Sequence, residues 1–199
     1  MKHNPVLDVS DLPSYGFGAR RPVWWGTLGF CVLEGTGFAL ALGAYLYLAF
    51  LNPEWPLSVP PPGLIWSSLL TALLILSAVP NWLAKKAGEH EDTRKARLYL
   101  AIMSVVGVAV IGLRLLEFTA LHVKWDQNAY GSLLWAILGL HLTHIITDLV
   151  DTLVLTVLMF TRHGHGKRFS DVSDNAFYWN FVILSWLPIY GLIYWGPRL

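Results

Sequence analysis

Four ionisable side chains share one apolar run. Residues 139–144 read Gly139-Leu140-His141-Leu142-Thr143-His144, and Asp148 and Asp151 follow before the run ends at Phe160. At about 100° per residue, His141, His144, Asp148 and Asp151 fall within roughly 80° of one another, a single polar stripe on a helix. Imidazoles and carboxylates in that pattern can ligate a metal or a haem, pass protons, or join helices through hydrogen bonds. The run from Tyr130 to Phe160 is long enough to cross a bilayer. Ionisable groups are costly there and persist where they are paired, enclosed or functional.

Ligand counting weighs against a metal or a haem. Two histidines three apart can share a metal, but di-metal bundles draw Glu-x-x-His pairs from two facing helices, and no second apolar segment offers one. Two histidines on opposite faces of a haem come from two helices. The other histidines are His3, His90, His122, His163 and His165, all in tails, loops or span ends. His163-Gly164-His165, with Lys167 and Arg168, reads as a solvated turn facing lipid headgroups. The one cysteine, Cys31, lies in an apolar run, which rules out a disulfide framework and a cysteine metal site. It reads as a small buried hydrophobe. A structural polar seam and a proton relay along His144, Glu34 and Asp148 both remain open.

The elements that must carry these groups follow from composition. Of 199 residues, 55% are hydrophobic and 14% charged, against about 25% charged in ordinary soluble domains. Mean hydropathy is +0.50. Five segments meet the roughly 20-residue requirement for a span: about 23–51, 63–84, 98–121, 130–160 and 175–195. The expected fold is therefore all-α, a polytopic membrane protein with five transmembrane helices. Residues 1–21 form a polar tail and 22–199 the five-helix domain. The tail is proline-punctuated with no signal-peptide core, so insertion is expected to begin at the first span. A net charge of +1 with no basic face excludes a nucleic-acid binder.

Loop charges set the orientation. The tail carries Lys2, Arg20 and Arg21; the second connection Lys85, Lys86, Arg94, Lys95 and Arg97; the fourth Arg162, Lys167 and Arg168. The opposite side carries Lys124 and Arg198 alone. The positive-inside rule puts the N-terminus in the cytoplasm and the C-terminus outside.

Other spans hold possible partners for the stripe. Glu34 lies in the first span, and Arg114 and Glu117, three apart on one face, in the third. With a rise of about 1.5 Å per residue, Glu34 lies about 16 Å from the cytoplasmic start of its helix and His144 about 16 Å from the outer start of its own. In a core of about 30 Å these depths nearly coincide, so the two are expected to meet at mid-membrane. Arg114 and Glu117 read either as an intrahelical ion pair or as a contact to a neighbouring subunit or lipid headgroup. In the fifth span, Pro188 is expected to kink the helix.

These landmarks, in this order, resemble subunit III of the haem-copper terminal oxidases (cytochrome c and quinol oxidases). The resemblance rests on Trp25-Gly26, Glu34 and Ala44-Tyr45 in the first span, and on Glu117-Phe118 in the third. It continues with Tyr130-Gly131-Ser132 and the Gly139-to-His144 motif, then Tyr178-Trp179-Asn180-Phe181-Val182, Trp186 and Tyr194-Trp195-Gly196. It covers about residues 22–196 and implies a divergent, bacterial-type, five-helix member without the two extra N-terminal helices of seven-helix forms. Asn180 stands where the family has histidine, Ile183 where it has aspartate, and Asp148 where it has a small residue.

The resemblance implies a non-catalytic chain with no cofactor of its own. Haem and copper would sit in partner subunits. The chain would pack beside catalytic subunit I, with subunit II in the same hetero-oligomer, in the bacterial cytoplasmic membrane. It would bind phospholipid, protect subunit I from inactivation during turnover and help proton uptake for oxygen reduction and proton pumping. Glu34 matches the family's buried carboxylate, with His144 its partner; Arg162 suits a lipid phosphate. Two other functions fit the same residues: an accessory subunit of a nitric oxide reductase, and a small proton channel or transporter using the His144/Asp148 stripe.

Overall fold

In a computed structural model, residues 15–57, 59–162 and 164–198 are described, so the tail expected over 1–21 is described only from Tyr15, and His3 and His163 lie outside the described residues. Five long helices follow one another: α1 (Pro22–Leu51), α2 (Leu64–Glu89), α3 (Thr93–Thr119), α4 (Ala129–Phe160) and α5 (Lys167–Tyr190). Each is long and apolar enough to cross a membrane, and no strand occurs among the described residues. The chain is an all-α, multi-pass membrane protein.

Local chemistry sets the helix ends. Pro22 opens α1, where its missing N–H costs nothing. Asp92 caps α3 by accepting from the Lys95 amide at 3.0 Å, and Asn128 caps α4 by accepting from the Gly131 amide at 2.8 Å. Beyond Pro188, α5 passes into a π-helical turn over Gly191–Trp195, the kind of local adjustment that reabsorbs backbone groups freed by an intramembrane proline.

Helices α2, α3, α4 and α5 form a closed bundle in that cyclic order, and α1 lies along the groove between α4 and α5. Lipid gives no hydrophobic drive for helix pairing, so close packing and interhelical hydrogen bonds must supply it. The α2–α5 seam shows both. Ser67, Thr71, Ser77, Asn81 and Ala84 are buried at helical spacing. Trp179 Nε1 donates to Ser77 Oγ at 2.8 Å, Trp186 Nε1 to Thr71 Oγ1 at 2.7 Å, and Asn81 Nδ2 to the Ala176 carbonyl at 2.9 Å. Near the turn from α2 to α3, a Cβ at Gly88 would lie 2.7 Å from the Phe169 carbonyl oxygen, so glycine permits that approach. By contrast α1 buries only Cys31, Phe38 and Tyr45, a narrow stripe at seven-residue spacing. The loosely held α1 therefore closes, rather than builds, the cleft in which the polar groups sit.

Candidate functional site

The stripe on α4 divides between two networks. Glu34 and His144 meet at mid-helix: His144 Nε2 lies 2.7 Å from Glu34 Oε2. The ring is canted away from good hydrogen-bond alignment at that nitrogen, so the contact is defined by its separation. His144 Nδ1 lies 2.6 Å from the Leu140 carbonyl oxygen, which can only accept, so Nδ1 carries hydrogen. In a neutral ring Nε2 would then present a lone pair to a carboxylate oxygen. At 2.7 Å the two atoms are close enough for a proton to pass between them. Tyr178 of α5 adds a third group, its hydroxyl donating to the same Glu34 oxygen at 2.8 Å. Phe38 packs its ring 4.9 Å from the His144 ring and fixes its position.

His141, three residues earlier, turns instead toward α3 and α5. It is fully buried; Arg114 Nη2 donates to its Nδ1 at 2.9 Å, and its Nε2 lies 3.1 Å from the Val182 carbonyl. Because arginine only donates and a carbonyl only accepts, His141 is the neutral Nε2–H tautomer with both nitrogens engaged. Arg114 also donates to Glu117 Oε2, and Tyr194 donates to Glu117 Oε1. The guanidinium lies 4.2 Å above the Trp186 ring. Arg114 is 0% exposed and Glu117 2%. In this structure Arg114 and Glu117 form an ion pair enclosed by α3, α4 and α5. It leaves no free ligand at His141.

Asp148 and Asp151 lie on neither network. With Glu34, His144 and Tyr178 they line a cavity of about 440 Å³ between α1, α4 and α5. Asp151 accepts from Asn175 Nδ2 at 3.2 Å. At the end of the cavity that the loop charges assign to the cytoplasm, Asp171 and Asp174 accept from Arg21 at 3.5 and 3.1 Å. Asp171 also accepts from Arg168 at 3.0 Å. Arg162 is exposed at the same end, just past α4. Among the described residues, no group of three or more histidine, cysteine or acidic side chains is placed to hold a metal.

Sequence reasoning did not name Tyr178, Tyr194, Arg21, Asp171 or Asp174 as members of these networks. For Tyr178 a usable signal existed: with Asn175 it makes an i, i+3 polar pair on α5, at a depth that faces the stripe. Arg21 and Asp174 carry no comparable signal, because charges at span ends are ordinary.

Comparison with known proteins decides the family. Residues 44–197 match the model of the family described as cytochrome c oxidase subunit III. The chain belongs to that family. It is 26% identical over 174 residues to cytochrome c oxidase subunit 3 of Synechocystis sp., covering 85% of this chain and 74% of the relative. It is 25% identical over 178 residues to cytochrome c oxidase subunit 3 of Petromyzon marinus, covering 86% and 68%. It is 23% identical over 195 residues to cytochrome bo(3) ubiquinol oxidase subunit 3 of Pseudomonas aeruginosa, covering 96% and 88%. As a subunit III, the chain is a non-catalytic, multi-pass member of an oxidase complex and works within a hetero-oligomer with other oxidase subunits. His144, Tyr178, Arg114 and Glu117 fall inside the matched stretch, while Glu34 precedes it.

Proposed function

We propose that this subunit III supports a haem-copper oxidase of a bacterial cytoplasmic membrane, seated beside the catalytic subunit I with subunit II in the same complex. Haem and copper reside in those partners. The N-terminus faces the cytoplasm, which is the side the 11 loop and tail cations occupy. Residues 22–199 act as one transmembrane domain. The family match carries the subunit assignment. The relatives are named for two electron donors, cytochrome c and ubiquinol, and the reading holds for either.

Within that role, Glu34, His144 and Tyr178 form a proton-bearing group that helps deliver protons to the catalytic subunit. Its support is the geometry above: the Leu140 carbonyl fixes the Nδ1 hydrogen, which leaves Nε2 facing Glu34 at 2.7 Å. Arg114, Glu117 and His141 are structural, holding α3, α4 and α5 in register. Arg162, exposed at the cytoplasmic end of α4, takes a phospholipid phosphate. The test is turnover of the intact complex in vesicles with Glu34→Gln or His144→Gln. The reading expects normal assembly with slower proton uptake and a shorter turnover lifetime. Unchanged uptake and lifetime in both variants would overturn it.

A further inference from the structure

Asp148 is 2% exposed and lines the cavity, and its buried Oδ1 has no hydrogen-bond partner. Its other oxygen lies 3.5 Å from Thr152 Oγ1. That hydroxyl has one hydrogen, and Asn175 Oδ1 is nearer at 3.2 Å. The Asn175 amide cannot turn to release it, because its Nδ2 donates to Asp151. Asp148 is thus left with no full donor on either oxygen.

Nor does any cation reach it. The ionisable groups facing it are Glu34 from α1, His144 and Asp151 from α4, and Asp171, Asp174 and Tyr178 from α5. Arg21 is committed to Asp171 and Asp174, and His144 to Glu34 and Leu140. On its other side α4 meets α3 at this level through Leu149 against Gly107 and Thr156 against Ser104. An ionised carboxylate without donor or cation would be prohibitively costly in such a setting. Four acidic neighbours leave a proton as the ligand that neutralises it.

We propose that Asp148 is a proton-binding site: a neutral carboxylic acid in the wall of the cleft between α1, α4 and α5, which exchanges its proton with the aqueous side past Asp151 and the Arg21 clamp. The cavity volume is many times the roughly 30 Å³ share of one liquid water, and each of its three helices contributes polar side chains to the lining. The site deepens the reading of the same cleft but does not depend on the Glu34–His144 pair acting in turnover. It also accounts for the aspartate that the family pattern does not call for.

The test is infrared spectroscopy of the purified complex at neutral pH. The expected spectrum contains a protonated-carboxyl C=O band that shifts on ¹³C-aspartate labelling, moves in D₂O, disappears in Asp148→Asn and persists in Glu34→Gln and Asp151→Asn. Because asparagine is close in shape to the neutral acid, Asp148→Asn should assemble normally. If it does not, the labelled native complex alone decides, through presence or absence of an aspartate band. An unchanged spectrum in Asp148→Asn, or no aspartate band in the native complex, overturns the proposal. A band that never moves in D₂O overturns the access route. Loss of the band in Asp148→Asn, with Glu34→Gln leaving proton uptake untouched, would retain this site and overturn the role proposed for Glu34.

Discussion

Replacing Glu117 with glutamine keeps the shape of the side chain and removes its charge. Arg114 is then a buried cation without its counter-ion, 0% exposed. Removing one partner of a buried pair costs about 3–5 kcal/mol. Here Arg114 keeps its bond to His141 at 2.9 Å and the Trp186 face at 4.2 Å, so the lower end applies, about 3 kcal/mol. For a chain of this length each kcal/mol moves the unfolding midpoint by about 2–4 °C, which gives a fall of roughly 6–12 °C. Thermal unfolding of the detergent-purified complex measures it. The double variant Arg114→Met/Glu117→Leu leaves no unpaired charge. It should lose about 1–3 kcal/mol less than the sum of the two single losses. A Glu117→Gln complex within about 1 kcal/mol of native, or strictly additive single losses, would refute the internal ion-pair account.

Other consequences are equally open to measurement. Tyr178→Phe removes a hydroxyl that donates to Glu34 at 2.8 Å and should cost about 1–3 kcal/mol by leaving that oxygen without its donor. In a Glu34→Gln background the same substitution should cost clearly less, as a double-mutant thermal-stability cycle would reveal. Gly88→Ala sets a methyl 2.7 Å from the Phe169 carbonyl oxygen. It should destabilise by about 1–3 kcal/mol through overpacking, despite the better helix propensity of alanine. The backbone amide and side chain of Lys95 hold the Asp92 carboxyl below the usual carboxylate range. The folded value is the depressed one, so the cap is fully present above the ordinary aspartate range and is lost as pH falls through the lower, folded value. Lys95 amide exchange, corrected for its intrinsic pH dependence, should lose protection over that window and show no such step in Asp92→Asn.

The five helices were legible because each is an apolar run near bilayer length bounded by prolines or charges. Their ends were less so. Helix α5 begins at Lys167, eight residues before the apolar segment expected at 175, because a polar stretch buries Phe169 and Val172 against Ala84 and Ala87 of α2. Hydropathy registers the membrane boundary, whereas hydrogen bonding continues beyond it. Depth matching brought Glu34 to His144, since opposed helices of known rise leave few partners at one level. It could not divide His141 from His144. They differ by about 60° and 4.5 Å, enough to aim one at α3 and α5 and the other at α1, and only packing decides which helix stands on each side. The state of Asp148 was not legible either, because it depends on which acceptor receives a single threonine hydrogen.

This chain works as the subunit III of an oxidase. Its most direct test is to isolate the chain under mild detergent from its own membranes and ask what accompanies it. The expected result is a stable complex with a haem- and copper-containing partner that reduces oxygen. A chain recovered alone and conducting protons by itself in vesicles, or one held by a partner that reduces nitric oxide instead of oxygen, would contradict it.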